Sequence, residues 1–88
     1  MKNSNSVSNI TQREDITKDR LAAAQRLRDW RTSKNYSMAD ISDIITDRGY
    51  HCVNHTYRNW ELGSLPPLEV LLILRRLGLD LNWYINGQ

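Results

Sequence analysis

The chain is poor in the residues and runs that define several protein classes. Its only cysteine is Cys52, which excludes an internal disulfide and any all-cysteine metal site and is typical of proteins from a reducing cytosol. No apolar run reaches the roughly 18 residues that a membrane span requires, and the polar N-terminal segment lacks the apolar core of a signal peptide. We therefore expect a cytoplasmic protein without a membrane partner.

The sequence also lacks a recognisable catalytic arrangement. It has no nucleophile beside a histidine and an acid, no glycine-rich phosphate loop and no carboxylates paired at a useful spacing. His51, Cys52 and His55 suggest a zinc site, but a stable site needs four ligands, or three and a water, and no fourth candidate lies nearby. We predict no enzymatic activity, no cofactor and no metal, with Cys52 as a small buried apolar residue.

What the chain has in moderation is positive charge. Its 88 residues include 12 Lys and Arg against 10 Asp and Glu, a formal net charge of +2. This excess alone does not identify a polyanionic partner, although small DNA-binding domains often concentrate basic residues on one face. The length allows one domain with a single modest core.

The pattern of apolar residues predicts an all-α domain over residues 18–88, preceded by a flexible polar arm over residues 1–17. The arm is rich in Asn, Ser and Thr and has too little apolar surface to offset the entropy of ordering. Its Lys2, Arg13 and the adjoining Lys18 either touch DNA or have no role.

Five short helices are expected. The first runs from Asp19 to about Asn35 with Ala23, Leu27 and Trp30 buried, and the second follows a Ser37 cap, with Asp40 completing a capping box, and ends near Gly49. The third is capped by Asn54 and runs to about Leu62. The fourth begins at Pro67 and ends at Gly78, and its nearly continuous apolar surface predicts the central core helix. The last follows an Asp80 cap and contains Leu81, Trp83, Tyr84 and Ile85.

The third predicted helix has a distinctive polar side. Asn54, His55, Arg58 and Asn59 are expected to face outward, with Tyr57 and Trp60 turned inward. Asn matches the major-groove edge of adenine, and Arg matches guanine or a phosphate. The pattern therefore favours DNA contact, with an ordinary solvated helix face as the alternative.

Several stretches together resemble a known family, and the Trp-Glu-x-Gly and Asn-Trp-x-x-x-Gly patterns are their most specific parts. The stretches that carry the resemblance are residues 26–31, Tyr36-Ser37, Ile41, residues 56–63, Pro67 and residues 77–87. Over residues 20–87 the chain is similar to the lambda-repressor/Cro-like helix-turn-helix family of phage and bacterial regulators. The chain departs from that pattern in residues 47–53, where the turn is about five residues longer than the usual tight turn.

The resemblance implies a compact five-helix domain that binds a double-stranded operator. The second helix, opening at Ser37, would lie near a phosphate. The third would enter the major groove with its outward side chains at base-facing positions, and Thr56 would contact a phosphate or a thymine methyl group. The resemblance further implies an ion pair of Arg31 with Glu61 that ties the first helix to the end of the recognition helix.

The resemblance also implies a repressor or Cro-like regulator that binds a pseudo-palindromic operator as a homodimer. Trp83, Tyr84 and Ile85 either close the core or form the dimer surface. Two alternatives stay open. One is a protein-interaction module on the same scaffold, such as an antitoxin-like or antirepressor-binding adaptor. The other is the N-terminal domain of a larger repressor.

Overall fold

A computed structural model describes the backbone of residues 2–88 and the side chains of residues 16–88. Five α-helices follow one another: α1 (Lys2–Ser33), α2 (Met38–Asp47), α3 (Asn54–Trp60), α4 (Leu68–Arg76) and α5 (Leu81–Asn86). The described backbone contains no strand. The prediction of an all-α chain of five helices is therefore confirmed.

The first helix is much longer than the sequence pattern predicts. α1 begins at Lys2, whereas the predicted start was Asp19 and residues 1–17 were expected to form a flexible arm. No glycine or proline occurs between residues 2 and 33, so no residue in this stretch interrupts a helix. The proposed DNA contacts of Lys2 and Arg13 lie outside the residues whose side chains are described, and Lys18 is exposed.

Side-chain caps mark the starts of two helices as predicted. The Ser37 hydroxyl accepts a hydrogen bond from the Asp40 amide, and the Asp40 carboxylate accepts one from the Ser37 amide, each at 2.9 Å. Asp80 accepts a hydrogen bond from the Trp83 amide at 3.1 Å and caps α5. Gly49 closes the α2 end with a φ of 113°, a conformation that costs glycine little.

All five helices contribute to one core. The buried apolar side chains that form this cluster are Ala23, Leu27, Trp30, Ile41, Ile45, Cys52, Tyr57, Trp60, Val70, Leu74, Leu79 and Tyr84. The predicted stripe of the first helix, Ala23, Leu27 and Trp30, belongs to this set. Burial of these side chains is the main force that holds the short helices together, because isolated helices of this length are marginal in water.

The role predicted for α4 is wrong. Only Val70 and Leu74 are buried in it, and Leu68 is 68% exposed. The helix lies at the surface and covers the core with one side, so a run of leucines that looks apolar all round does not make it central.

Among the described residues, none of the helices combines the length and the apolar character that a membrane span requires.

α5 is fastened to α1 by Arg26. Its Nε donates to the Tyr84 carbonyl at 2.9 Å, and its Nη2 donates to the Ile85 carbonyl at 3.2 Å. The last carbonyls of a helix have no partner within the helix, so the guanidinium satisfies two of them and fixes α5 in place. This role of Arg26 was not predicted from the sequence. The signal was the position of Arg26 three residues after Ala23 and four before Trp30, at the edge of the buried stripe.

Candidate nucleic-acid interface

The two sides of α3 differ as the sequence predicts except at Asn59, which was expected to face outward and is half-buried. Tyr57 and Trp60 are buried, and their rings meet edge to face with centroids 5.8 Å apart. Asn54, His55 and Arg58 are exposed, while Thr56 and Asn59 are half-buried. The aromatic pair anchors the helix in the core, so three polar side chains remain available to a partner.

The start of α3 corrects one expectation. Val53, not Asn54, occupies the N-cap position, and its side chain cannot cap the helix by hydrogen bonding. Asn54 is the first helical residue. Because Asn54 has no capping role, its exposed amide is available for contacts outside the domain.

An ion pair holds the other end of α3. Arg31 Nε donates to Glu61 Oε2 at 2.6 Å, and Nη2 donates to Oε1 at 3.1 Å. The third guanidinium nitrogen donates to the Tyr36 carbonyl at 2.8 Å. Hydrogen bonding to Glu61 raises the pKa of Arg31. This is the pair that the family resemblance implies, and its bidentate geometry fixes α3 relative to α1.

The Tyr57 hydroxyl lies beside this pair. Burial raises the pKa of Tyr57 well above its usual range, and the nearby Glu61 carboxylate adds to the increase. Within the described residues, the hydroxyl has no partner in hydrogen-bond geometry. The tyrosine therefore stays protonated and serves as a core residue rather than as a titrating group.

The electrostatics of α2 differ from those of α3. Asp40, Asp43 and Asp47 are all exposed, and the two hydrogen bonds with Ser37 lower the pKa of Asp40. A carboxylate therefore occupies the helix start where the resemblance places a phosphate near Ser37. Ser37 itself is exposed, but the acidic neighbour disfavours an anion at this position.

The side chain of one threonine makes two hydrogen bonds to the long turn over residues 48–53. Thr46 Oγ1 donates to the Cys52 carbonyl at 2.9 Å and accepts from the Cys52 amide at 3.0 Å. Cys52 is buried beneath the turn as predicted, and burial raises its pKa. These contacts set where the chain enters α3.

A zinc site is not assembled. His51 and His55 are exposed, whereas Cys52 is buried and its Sγ donates to the Val53 carbonyl at 3.7 Å. No group of three or more His, Cys, Asp or Glu side chains suited to a metal occurs among the described residues.

The predicted dimer surface is divided by burial. Tyr84 is only 2% exposed and belongs to the core, Trp83 is half-buried, and Ile85 is 57% exposed. Tyr84 therefore closes the core, the first of the two alternatives, whereas Ile85 remains accessible to a partner. Consecutive residues of a helix point in different directions, so only part of this segment faces outward.

No family model matches the chain, and no curated protein or solved structure matches it. What α3 can contact therefore follows from its own side chains.

Proposed function

We propose that the chain is a non-enzymatic, sequence-specific DNA-binding regulator of the phage repressor or Cro type, with α2 and α3 as its helix-turn-helix. One observation carries the proposal. α3 is seated by Tyr57 and Trp60 while Asn54, His55 and Arg58 stand in solvent. A helix held in this way can enter a major groove without repacking of the domain, because the contacting side is not used for folding.

The exposed side chains suit a DNA groove in both shape and charge. An asparagine amide pairs with the N6 and N7 edge of adenine, and an arginine pairs with guanine or a phosphate. α3 contains no acidic residue, and Glu61 just beyond it is neutralised by Arg31. The helix therefore presents neutral and positive groups only, in contrast to the acidic surface of α2.

A domain of this size contacts few base pairs with a single helix. Two copies on a pseudo-palindromic operator, with their recognition helices about 34 Å apart, extend the recognised sequence. A homodimer on double-stranded DNA is accordingly part of the proposal, and occlusion of a promoter is its regulatory consequence.

The first experiment selects bound sites from a random oligonucleotide pool and then compares two arginine variants. Arg58→Ala should weaken binding to the selected site by about 1–3 kcal/mol and weaken binding to random DNA by less. Arg75→Ala is the matched control, because Arg75 is also exposed but lies in the last turn of α4. Fluorescence anisotropy at two salt concentrations measures both, since phosphate contacts weaken steeply as salt increases.

Two results would reject the proposed function. The first is a pool that yields no enriched sequence, and the second is an equal loss of affinity for Arg58→Ala and Arg75→Ala on selected and random DNA. The first result removes sequence specificity, and the second removes α3 as the contacting element.

A protein-interaction module on the same scaffold is the second candidate. The acidic side chains of α2 and the modest net charge of +2 favour it, because both reduce attraction to a polyanion. This candidate predicts association with a protein such as an antirepressor and no salt-dependent binding to any DNA duplex.

A further inference from the structure

One face of the molecule carries an unusual amount of exposed apolar surface around a single arginine. We call it the Arg20 face. It consists of Arg20 and five large apolar side chains, each more than half exposed: Ile16, Leu21, Leu62, Leu65 and Ile85. These residues come from α1, from the segment between α3 and α4, and from α5. Isolated exposed leucines are common, but a contiguous group of this kind marks a contact surface.

Two grooves show that the group is contiguous. One groove of about 330 Å³ is lined by Ile16, Leu65 and Ile85, and another of about 280 Å³ is lined by Leu21 and Leu62. Arg20 lines both. The apolar side chains therefore lie on either side of Arg20 and form one surface.

The elements that form this face are fixed by contacts within the domain. Leu21 lies against Gly63, where an added Cβ would be 3.2 Å from Leu21 Cδ2. Ala23 and Tyr84 are buried beneath the larger groove, and Arg26 fastens the end of α5 to α1. A surface that is already ordered loses little entropy when a partner binds.

The charges on this face identify the kind of partner. Asp19 and Arg20 are adjacent, exposed and both part of the larger groove. Within the residues whose side chains are described, neither takes part in an ion pair. DNA or an anionic membrane would meet a mostly apolar surface on which the acidic Asp19 stands next to Arg20. A second copy related by a two-fold axis supplies both complements, because each residue of such an interface meets the reciprocal residue.

We propose that the Arg20 face is the contact between two copies of this chain in a two-fold dimer. Its apolar side chains form the buried centre, and Arg20 of each copy pairs with Asp19 of the partner subunit. The inference deepens the proposed function by naming the dimer surface. It leaves Asn54, His55 and Arg58 free, since none of them lines either groove. Its test uses no DNA, so the two proposals can fail separately.

Sedimentation equilibrium of the full chain, from low micromolar to several hundred micromolar, gives the oligomeric state. The wild type should be a dimer at the upper end of this range. Leu65→Asp should raise the dimer dissociation constant about tenfold or more, because it places a charge in an apolar contact. Leu68→Asp is the matched control: Leu68 is at least as exposed but lines neither groove, so dimerisation should be unchanged.

Charge reversal provides a second test that does not depend on apolar burial. Arg20→Asp and Asp19→Arg should each weaken the dimer, and the double variant should restore it, because the pair is then exchanged between copies. Circular dichroism melting checks that each variant is folded. A double variant as weak as the singles contradicts the pairing.

Three outcomes would overturn the inference. They are a wild type that is monomeric throughout the concentration range, equal dimerisation of the Leu65→Asp and Leu68→Asp variants, and a monomeric chain that binds a different protein through this face. A monomer that nevertheless selects one DNA sequence would leave the proposed function intact. A dimer that selects no sequence would do the reverse.

Discussion

At the scale of single residues, the most consequential interaction is the contact of Arg31 with Glu61. The side chains are 10% and 3% exposed, respectively, so both charges are largely removed from water. Burial of a charge is costly unless a partner and further hydrogen bonds compensate it. Here the two parallel hydrogen bonds and the bond to the Tyr36 carbonyl provide that compensation. This ion pair thereby fixes the orientation of α3, which carries the candidate contacts, relative to α1.

Arg31→Ala should destabilise the domain strongly. It leaves the Glu61 carboxylate buried without its cation, a change that costs roughly 3–5 kcal/mol. For a chain of this length the melting temperature should fall by more than about 10 °C. Arg28→Ala on the same helix is the control, because Arg28 is exposed. Equal melting temperatures for the two variants in a calorimetric scan would remove the ion pair from the account of how α3 is held.

At the scale of elements, local signals were predictable from the residues themselves, whereas the one long-range contact that was expected, Arg31 with Glu61, came from the family resemblance. Two helix starts were predictable because a capping side chain bonds to its own near neighbours in sequence. These caps are Ser37 with Asp40 at α2 and Asp80 at α5. The inward Tyr57 and outward Arg58 follow from helical periodicity alone.

The failures of prediction have a common cause. Burial within α4 depends on what lies on each side of it, which a run of leucines does not reveal. The start of α1 depends on whether a polar segment is ordered, and composition gives only a propensity for that. Tyr84 and Ile85 are neighbours with opposite burial, so the choice between core and dimer surface differs from residue to residue in this segment. The apolar face around Arg20 was not predicted for a similar reason, since the residues that form it come from separate parts of the chain.

The long turn before α3 is the element that distinguishes this chain from the family pattern, and Thr46 holds it. Thr46→Val removes both hydrogen bonds to Cys52 at nearly constant volume and leaves the part-buried Cys52 amide without this partner. The expected loss is about 1–3 kcal/mol in the free energy of unfolding, measured by urea denaturation. Thr32→Val should cost much less, because the Thr32 hydroxyl bonds to carbonyls on the exposed side of α1. If the two substitutions cost the same, the turn is held by other contacts.

At the scale of the whole molecule, the two proposed surfaces differ in their side chains and in the partner that each is proposed to bind. α3 offers polar side chains to a groove, whereas the Arg20 face offers apolar side chains to a second copy. Leu62 lies two residues beyond the end of α3 and belongs to the Arg20 face, so the proposed dimer contact adjoins the end of the proposed recognition helix. Linking two binding sites raises affinity without new DNA contacts, provided that both can bind at once. The separation of surfaces therefore predicts that affinity for an operator can be altered in two independent ways.

The affinity for an operator with two half-sites and the affinity for a single half-site should respond differently to Leu65→Asp and to Arg58→Ala. Leu65→Asp should lower affinity for the complete operator about tenfold or more while leaving half-site affinity unchanged, because only the linkage between copies is lost. Arg58→Ala should lower affinity for both, since each copy loses its own base or phosphate contact.

Adding about five base pairs between the half-sites turns them to opposite sides of the duplex. That insertion should reduce wild-type affinity to the half-site value and should not affect Leu65→Asp. Anisotropy titrations on the three duplexes measure each case. A Leu65→Asp variant that retains full affinity for the complete operator would mean that the copies do not cooperate through this face.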